Sequence, residues 1–338
     1  MKTQPKVSIV IINWNGGKVF ERCLQSLTKL TYSNWELLVV DNGSTDKSNF
    51  LPKQFFAGSK LLSNKRNVGF ALANNQATKK ARGEYLLLLN NDTQVSPNLL
   101  DVLIDKMEND PSIGVVQPKI KMMADPQYLD NAGSFMTWTG FLSHWGYGMK
   151  DTGEFNRERE VFSVKGACLL TKREVVDKIG LFDSSFVSYF EESDFCWRVW
   201  LAGWRVLYYP KTYILHKVGM TSKRLDQFEV NFHSVKNRLR SHLKNLSAYG
   251  LVTIFFPHMV FNFILSGYYL VSFQFLKAGM IGKAVLWNII HFSETVKFRH
   301  QVQKTRKISD HNLFKKVTLP VSWVDMFIHF RRVEANFK

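Results

Sequence analysis

Long apolar runs, each ended by a cluster of polar residues, recur through the first hundred residues. "KVSIVIINWN", "NWELLVVDNG" and "GEYLLLLNND" have this form, and "SKLLSNKRN" is a weaker example. Between the first two runs, Val19, Cys23, Leu24, Leu27 and Leu30 recur at helical spacing. Unbroken apolar runs are typical of strands that are buried on both faces of a parallel sheet. The alternation of strands and helices therefore predicts an α/β fold with a mostly parallel central sheet.

The pattern then becomes looser before it resumes. Residues 117–165 are rich in Gly, Asp, Tyr and Trp, and we expect irregular structure there. "GACLLTKREVVDKIG" predicts a strand followed by a helix, and "SYFEESDFCWRVWLAGW" predicts a loop that enters a helix. "RVLYYP" predicts a further short strand. We therefore predict that residues 1–245 form one α/β domain.

The last part of the chain has a different pattern. "SVKNRLRSHLKN" predicts a basic helix, and residues 251–276 contain no Lys, Arg, Asp or Glu. A stretch of about 20 apolar residues suffices to span a bilayer. Within this stretch His258, Asn262 and Ser266 recur every four residues, which places them on one face of a helix.

We predict a helical, membrane-associating region over residues 246–338. Basic residues flank the apolar stretch at both ends, with Arg240 and Lys244 before it and Lys277 and Lys283 after it. The positive-inside rule therefore gives no orientation. Helices that lie in or against the membrane interface fit this pattern, while a true span and an ordinary packed helix remain open.

The net charge of +17 is concentrated in the C-terminal part. After His216 there are 19 Lys or Arg residues against 6 Asp or Glu residues. Such asymmetry predicts an anionic partner, and nucleic acid and an anionic membrane surface both qualify. The sequence carries no RNP-like aromatic strand, zinc motif or helix-turn-helix signature. We therefore expect a membrane surface and no nucleic acid, with a non-catalytic nucleic-acid or membrane binding protein as the remote alternative.

The cysteines and the N-terminus bear on the cellular compartment. Cys23, Cys168 and Cys196 are scattered, odd in number and without metal-ligand spacing. They indicate neither a disulfide framework nor a structural zinc, and they fit a reducing cytosol. The segment "VSIVII" is too short for the apolar core of a signal peptide, so we expect no signal peptide.

Polar side chains directly follow three of the predicted strands. In open α/β sheets, ligands bind where the strands end at their carboxyl edge. An aromatic ring with Asp and Asn groups can hold a nucleobase and ribose, and Mg²⁺ needs only one or two protein carboxylates when phosphate oxygens complete its shell. Each cluster alone is also typical of a turn, but a turn does not require the clusters to converge. The candidates are Asn13, Trp14 and Asn15 after the first strand, Asp41, Asn42 and Ser44 after the second, and Asn90, Asn91 and Asp92 after the fourth.

Seven segments, taken in order, resemble one enzyme family. They are "VSIVIINWNG", "ELLVVDNGSTD", "NVGFALANNQ", "YLLLLNNDT", "GACLLTKREVVDKIGLFD", "YFEESDFCWRVWLAGWRVLYYP" and "LHKVGMTS". The set resembles the family 2 inverting glycosyltransferases of the GT-A fold, and most of all their bacterial rhamnosyltransferase-like branch. The resemblance covers about residues 5–245. The basic helix and apolar stretch that follow are also similar to those of bacterial members that work at the membrane.

The resemblance implies a nucleotide-diphosphate sugar as donor, linked to dTDP or UDP. Asn13 and Asp41 match positions that contact the base and ribose, and Asn67 and Gly69 match a segment near the nucleotide.

It also implies a divalent metal, Mg²⁺ or Mn²⁺. Asp92 matches the last aspartate of the family's DxD metal motif, and His216 matches a histidine that reaches the metal or the diphosphate. Asn90 departs from the pattern, because many members carry aspartate there. Taken alone, His216 would be interpreted as an ordinary hydrogen-bonded histidine.

The segment "FEESD" resembles the family's "EDxD" segment, in which an acidic residue is the catalytic base. Glu191, Glu192 and Asp194 supply three carboxylates within four residues. Inversion needs one carboxylate to take the proton of the acceptor hydroxyl, as inverting glycosidases do for water. Close like charges favour a raised pKa for at least one of them. An acidic helix N-terminus would explain the same residues without catalysis, and which of the three is the base stays open.

We therefore expect a metal-dependent hexosyltransferase-type enzyme of cell-surface polysaccharide biosynthesis. The acceptor would be a hydroxyl of a glycan or polyprenyl-linked saccharide, at the cytoplasmic face of the bacterial inner membrane. Rhamnose as the transferred sugar is implied by the resemblance alone. The alternative is a polyprenyl-phosphate glycosyltransferase, whose acceptor already carries negative charge and hardly needs a base.

Overall fold

The apolar runs of the first hundred residues form one half of a central sheet. The computed structural model describes residues 5–219 and 226–319. Leucines 86–89 are almost fully buried, and each contributes about 1.5–3 kcal/mol to folding relative to an exposed side chain. The strands of this half are β1 (Val7–Asn13), β2 (Trp35–Asp41), β3 (Lys60–Ser63) and β4 (Tyr85–Asn90). They lie parallel in the order β3-β2-β1-β4, so their carboxyl ends reach the same edge of the sheet.

The other half of the sheet mixes strand directions. Its strands are β5 (Thr93–Val95), β6 (Ile113–Met122), β7 (Leu129–Asn131), β10 (Arg159–Glu160), β11 (Cys168–Lys172) and β12 (Arg205–His216). Two further strands, β8 (Ser134–Met136) and β9 (Leu142–His144), lie outside this sheet. β11 lies antiparallel between β4 and β6, and β12 lies parallel to β6. β5 and β10 pair with β12, β7 pairs with β6, and β8 and β9 form a separate hairpin.

The expectation of irregular structure from residue 117 is wrong for β6. Its last six residues continue a ten-residue strand, although Gln117 and Lys119 are polar. Both side chains are buried and paired: Gln117 Nε2 donates to Asn131 Oδ1 at 3.0 Å, and Lys119 Nζ lies 2.7 Å from Asp151 Oδ1. These partners are distant in the sequence, and they remove the cost of burying the two polar groups.

Helices cover both faces of the sheet. They are α1 (Gly17–Leu27), α2 (Leu51–Phe55), α3 (Phe70–Thr78), α4 (Leu99–Asn109), α5 (Arg173–Ile179) and α6 (Glu191–Leu201). One face buries an apolar cluster that includes Phe162 and Trp197, and the other buries a cluster that includes Phe20 and Leu103. The strand and helix predicted around Cys168 and the helix predicted from "FEESD" are present as β11, α5 and α6.

The C-terminal region is helical, as the sequence predicts. Its helices are α7 (Gln227–Asn245), α8 (Ala248–Gly250), α9 (Phe256–Val271), α10 (Phe275–Ile290), α11 (Phe292–Thr305) and α12 (Asp310–Val317). From α8 to the end of α9 the chain is one helix, and it is the one helix of the described residues with the length and apolarity to cross a membrane. Residues 320–338 of the predicted region lie outside the described residues, and the domain boundary at residue 245 stays a prediction.

Three basic residues of α7, Lys236, Arg240 and Lys244, are buried, so Arg240 and Lys244 are not the membrane flank that the sequence predicts. Arg240 Nε and Lys244 Nζ lie 2.9 and 2.7 Å from Oδ2 of the buried Asp183. Lys236 Nζ donates to the carbonyl oxygen of Ser185 at 2.8 Å. These three basic residues are spaced by four positions and therefore share one face of the helix. That face packs against the segment that leads into α6.

Candidate active site

The ends of β1, β2 and β4 meet at the side chain of Asn13. Asn13 is buried, and its Nδ2 atom donates to Asp41 Oδ1 at 3.0 Å and to Ser48 Oγ at 2.8 Å. Its Oδ1 atom accepts a hydrogen bond from Asn91 Nδ2 at 3.0 Å. Asp41 Oδ2 in turn accepts one from the backbone N–H of Ser44 at 3.1 Å. The polar residues predicted at separate strand ends thus form one connected network, called the strand-end network below.

Asn42 joins the end of β2 to the loop before α3. Its Nδ2 atom donates to Asn67 Oδ1 at 2.8 Å, and its Oδ1 atom accepts from the N–H of Val68 at 3.2 Å. Gly69 has a φ of 89°, and a Cβ there would lie 2.5 Å from the carbonyl oxygen of Val187. Only glycine fits both the backbone angle and the space. The loop with Asn67 and Gly69 is therefore held against the strand-end network.

The turn after β1 places Trp14 and Asn15 beside this network. Asn15 has a left-handed φ of 51°, which asparagine tolerates better than most residues. Its Oδ1 atom accepts from the N–H of Thr45 at 2.8 Å, and its own N–H donates to Ser44 Oγ at 2.9 Å. Trp14 is half-buried, so part of its ring surface is open to solvent.

His216, at the end of β12, lies between two aspartates. Its Nδ1 atom is 2.8 Å from Oδ2 of Asp130 in β7, and its Nε2 atom is 3.3 Å from Oδ1 of Asp92. Burial opposes the charge of Asp130, but Lys165, with Nζ 2.6 Å from Oδ1, and His216 lower the pKa of Asp130 to about 2. Asp130 is therefore ionised and can only accept a hydrogen bond. The proton between the two groups is carried by Nδ1 of His216, and Nε2 of the same ring is directed at Asp92.

Asp92 and His216 fit a divalent metal. Oδ1 of Asp92 is buried and has no hydrogen-bond partner. A buried acceptor without a partner is unfavourable unless a ligand binds to it. The ring of His216 is oriented by a carboxylate, as in metal-bound histidines. Burial opposes the charge of His216, but the neighbouring carboxylates of Asp130 and Asp92 raise its pKa, and a metal at Nε2 would displace the proton there. Within residues 5–219 and 226–319 no three His, Cys, Asp or Glu side chains are grouped to hold a metal, so phosphate or water oxygens would complete the shell.

A strained backbone segment leads into the acidic residues of α6. Tyr189 and Phe190 have left-handed φ angles of 71° and 72°, and such angles in two consecutive non-glycine residues are costly. Nδ2 of Asn237 in α7 donates to the carbonyl oxygen of Tyr189 at 2.6 Å and to that of the preceding residue at 2.9 Å. Helix α7 therefore supports the conformation that presents Glu191 and Glu192.

Glu192 lies close to the loop that borders the end of β4. A Cβ on Gly166 would be 3.8 Å from the carboxyl carbon of Glu192 and 3.9 Å from the ring of Phe70 in α3. The next residue, Ala167, accepts a hydrogen bond from the N–H of Asn90 at 3.0 Å. Burial raises the pKa of Glu192, which moves it toward the range in which a carboxylate is an effective general base.

Glu191 is more deeply buried than Glu192. Its Oε2 atom has no hydrogen-bond partner. Burial, and then the charge of Glu192, raise the pKa of Glu191 well above its ordinary value. Two adjacent carboxylates do not ionise together readily in such surroundings, so we infer that Glu191 is the member of the pair that keeps its proton.

Asp194 connects α6 to α7. Its Oδ1 atom accepts hydrogen bonds from Ser241 Oγ at 2.7 Å and Asn245 Nδ2 at 3.0 Å, and its Oδ2 atom accepts from Arg198 Nε at 2.9 Å and Lys244 Nζ at 3.2 Å. Burial opposes its charge, but Lys244 and Arg198 lower the pKa of Asp194. Because both oxygens are occupied, this geometry favours a packing role for Asp194 and leaves Glu191 and Glu192 as the candidates for the base.

Sequence reasoning does not find Asp130, Lys165 or Asn237. Asp130 lies in "YLDNAG", which is typical of a turn, and its contact with His216 joins residues 86 positions apart. Asn237 lies in a helix whose sequence suggests a solvated basic surface. The available signal is the four-residue spacing of the basic side chains around it, which marks one face of α7 as different from the others.

The family of the chain follows from comparison with known proteins. Residues 8–180 match the family described as "Glycosyl transferase family 2", which is just over half of the 338 residues. The chain belongs to glycosyl transferase family 2. The matched part of this glycosyltransferase contains the ends of β1, β2 and β4, whereas α6 and His216 lie beyond it.

Relatives of this family 2 glycosyltransferase include two bacterial proteins. It is 29% identical over 232 residues to the O-antigen biosynthesis protein RfbC of Myxococcus xanthus, a match that covers 66% of this chain and 18% of that protein. It is 27% identical over 237 residues to the N-acetylglucosaminyl-diphospho-decaprenol L-rhamnosyltransferase of Mycobacterium tuberculosis, covering 64% of this chain and 77% of that protein. The chain therefore spans a small part of the first relative and most of the second. The predicted resemblance to family 2 and its rhamnosyltransferases is confirmed.

Solved structures of similar fold are GT-A glycosyltransferases. The mannosyltransferase PcManGT of Pyrobaculum calidifontis aligns with a TM-score of 0.55 at 14% identity, covering 90% of this chain and 86% of that chain. S. aureus TarS 1–349 aligns with a TM-score of 0.57 at 16% identity, covering 89% and 90%. At these identities the likeness concerns the fold alone, and the predicted GT-A fold is confirmed.

Proposed function

We propose that this glycosyltransferase is an inverting, metal-dependent enzyme that moves a sugar from a nucleotide diphosphate to a hydroxyl of a glycan or lipid-linked saccharide. The observation that carries the proposal is the 3.3 Å distance from Nε2 of His216 to Oδ1 of Asp92, a buried carboxylate oxygen that has no hydrogen-bond partner. This pair adjoins the strand-end network through Asn91. Glu192, a carboxylate with a raised pKa, lies by the loop that borders the same strand end.

A nucleotide diphosphate fits the strand-end network. The Asp41 carboxylate and the Asn13 amide are suited to ribose hydroxyls and a base, and the open part of the Trp14 ring offers a stacking surface. Structures of the same fold hold such ligands: PcManGT with GDP-Man and Mn²⁺, and GalNAc-T7 with UDP, GalNAc and Mn²⁺. We propose a dTDP- or UDP-linked donor. The residues that would line its site are Asn13, Trp14, Asn15, Asp41, Asn42, Asn67, Gly69 and Asn91.

Asp92 and His216 are the proposed ligands of Mg²⁺ or Mn²⁺. A bound divalent ion supplies positive charge that stabilises the departing nucleotide diphosphate. Asp130 keeps the ring of His216 in the orientation in which Nε2 faces Asp92. Asn90 brings no charge to the site, so the donor phosphates would supply the remaining anionic oxygens.

Glu192 is the proposed base. In its ionised form it accepts the proton of the acceptor hydroxyl, while that oxygen attacks the anomeric carbon from the face opposite the diphosphate. The bond to the diphosphate breaks, and the anomeric configuration inverts. Glu191 keeps its proton and limits the negative charge next to the base, and Asp194 fixes the helix that carries both.

A lipid-linked saccharide is the acceptor that the relatives support. The Mycobacterium tuberculosis relative is named for N-acetylglucosaminyl-diphospho-decaprenol. An Escherichia coli relative, WfgD, is named for α-D-GlcNAc-diphosphoundecaprenol and is 36% identical over 102 residues, which is 30% of this chain. We therefore propose polysaccharide biosynthesis at the cytoplasmic face of the inner membrane, with the basic C-terminal region against anionic lipid. A nucleic-acid partner forms no part of the proposal.

Donor turnover tests the core of this proposal. The purified chain is incubated with UDP- and dTDP-sugars in the presence of Mn²⁺, Mg²⁺ or a chelator, and release of the nucleotide diphosphate is measured. We expect release that requires a divalent ion, and a product of inverted anomeric configuration by NMR when a saccharide acceptor is added. Release that is equal with chelator, or a retained configuration, would contradict the proposal.

A further inference from the structure

The hairpin formed by α9 and α10 has a strongly exposed apolar tip. Val271, Phe273 and Leu276 are 80%, 82% and 78% exposed. Apolar exposure continues along both helices at Phe263, Ile264, Leu286, Ile289 and Ile290. Contiguous apolar surface of this kind marks an interaction site in most proteins. Residues 270–276 are called the hairpin tip below.

The opposite face of α9 is polar and is fixed to the enzyme. His258 is buried; its Nδ1 atom donates to the carbonyl oxygen of Thr139 at 2.8 Å, and its Nε2 atom accepts from Arg238 Nε at 3.2 Å. Phe141 packs against Phe261, with ring centroids 5.1 Å apart. The predicted polar stripe of α9 therefore faces the connection between β8 and β9 and the side of α7.

This packing determines how α9 can meet a membrane. The continuous helix Ala248–Val271 has 24 residues, a length of about 36 Å. His258 lies near its middle, so a helix that crossed a bilayer would carry Arg238 and the turn at Thr139 to the bilayer centre. A charged side chain and irregular backbone are unfavourable at that depth. When α9 instead meets the membrane at an angle from one side, with the hairpin tip entering first, the contacts of His258 stay in the aqueous phase.

We propose that the hairpin tip inserts into one leaflet of a membrane that contains anionic lipid. The chain from Phe275 to Val317 has nine Lys or Arg residues against two Asp or Glu residues. Six of the nine are exposed, namely Lys283, Lys297, Lys304, Lys307, Lys315 and Lys316, and their charge complements anionic headgroups. Apolar residues beside basic ones bind membrane surfaces in this way. A second copy of the chain is the other candidate occupant, but symmetric pairing of two tips would bring two basic regions together.

Docking by the tip leaves the connection between β8 and β9 on the aqueous side, along the helix that leads to the membrane. Trp138 in this connection is 40% exposed, and the neighbouring Thr139 accepts the hydrogen bond from α9. Along the chain this connection follows β7 and β8, and Asp130 in β7 orients His216. Residues 130–141 therefore run from the proposed metal site to the membrane helix, and a lipid-anchored saccharide would approach along them. This approach route rests on the proposed function, whereas the docking does not.

A fluorescent label at the tip tests the docking directly. Cys23, Cys168 and Cys196 are buried, so the variant Phe273→Cys can be labelled selectively with an environment-sensitive dye in the full chain. With vesicles that contain phosphatidylglycerol we expect a blue shift and quenching by acyl-chain nitroxides. The same label at Phe50→Cys, a site 62% exposed and outside the hairpin, should remain aqueous.

Flotation with the vesicles supplies the quantitative comparison. We expect the double variant Val271→Asp/Phe273→Asp to weaken vesicle binding at least tenfold, and Phe50→Asp to leave it unchanged. For every variant, binding should be weaker at high salt and weaker with vesicles made of phosphatidylcholine alone. The inference is overturned by a wild-type chain that does not bind vesicles, by equal losses in both acidic variants, or by a blue shift without vesicles that accompanies dimers in light scattering.

Donor hydrolysis without vesicles separates the docking from the proposed function. The tip variant should keep the wild-type rate, because the tip lies outside the strand-end network and α6. A wild-type chain that hydrolyses the donor but ignores vesicles refutes the docking alone. One that binds vesicles but releases no nucleotide diphosphate refutes the proposed function alone.

Discussion

Nε2 of His216 lies 3.3 Å from Oδ1 of Asp92, and this oxygen receives no hydrogen bond. When His216 is neutral with its proton on Nδ1, both facing atoms carry lone pairs, and a cation between them would satisfy both. The segment "NND" supplies one carboxylate where a DxD segment would supply two. We propose that the histidine at the end of β12 is the second ligand in place of the missing carboxylate.

Asp92→Asn should abolish metal-dependent donor turnover. Replacing the carboxylate removes the anionic ligand, and we expect a loss of about 100-fold or more in nucleotide diphosphate release. Mn²⁺ should no longer raise the melting temperature of this variant in the presence of UDP. Asp125→Asn, at an exposed position, is the matched control and should behave as the wild type; unchanged turnover in Asp92→Asn would show that the metal is held elsewhere.

Asp130→Asn should weaken metal binding without removing a proposed metal ligand. Loss of the carboxylate that orients His216 is expected to lower metal affinity about 10- to 100-fold. Saturating Mn²⁺ should restore most of the turnover, because Asp92 and His216 are still present. A titration of turnover against Mn²⁺ measures this shift, and an identical Mn²⁺ dependence in variant and wild type would contradict the role of Asp130.

Glu192→Gln should abolish transfer but not donor binding. Removal of a general base typically slows a reaction by about 10²- to 10⁴-fold. The dissociation constant of UDP with Mn²⁺ should stay unchanged, since the strand-end network is intact. Glu191→Gln is the matched comparison, and it should retain most of the activity because burial and the charge of Glu192 raise the pKa of Glu191 well above its ordinary value. Normal turnover in Glu192→Gln would instead favour the polyprenyl-phosphate acceptor.

The rate of transfer should fall on the acid side of neutrality. Burial raises the pKa of Glu192 above the ordinary value of a glutamate, about 4.3. The base must be ionised, so the rate is full above the raised pKa and is lost as the pH falls through it. The pH dependence of kcat, measured at saturating metal and donor, should show this limb above pH 4.3. A rate that stays flat down to pH 4 would rule out a base with a raised pKa.

Asp194→Asn should destabilise the fold. Removing one charge from a buried ion-pair network typically costs about 3–5 kcal/mol, and this change leaves Arg198 and Lys244 short of a partner. Because the pKa of Asp194 is lowered in the folded state, its stabilisation is complete above the ordinary aspartate pKa of about 3.9. It is lost as the pH falls below that value. Urea unfolding at pH 7 measures the loss, and exposed Asp105→Asn serves as the control.

The sequence is sufficient to predict the strand-end network because its signals are local. Each of β1, β2 and β4 is a continuous apolar run, and the side chains that follow it must emerge at the carboxyl edge of a parallel sheet. Asn13, Asp41 and Asp92 are found there by position alone. The same reasoning identifies the start of α6, because an aromatic turn and three acids precede a helical apolar pattern.

The roles of the other residues of the site and the core depend on contacts between distant segments of the chain. Asp130 acquires its role from His216, and Gln117 and Lys119 are buried only because β7 and the loop after β9 supply partners. Asp194 is equivalent to Glu191 and Glu192 in the sequence. What distinguishes it is α7, whose residues 241–245 occupy its oxygens. Local propensity contains no information on these pairings, so the base and the packing residue could not be separated before the structure.

The support that Asn237 gives to the backbone at Tyr189 has a consequence for synthesis. A ribosome delivers the chain from its N-terminus, and domains generally fold as units. The strand ends of β1, β2 and β4 are complete long before α7 has left the exit tunnel. A nascent chain that stops short of α7 therefore contains every side chain of the strand-end network, while the backbone that presents Glu191 and Glu192 still lacks its support. In the proposed function, the residues for the donor are synthesised before the residue that supports the base.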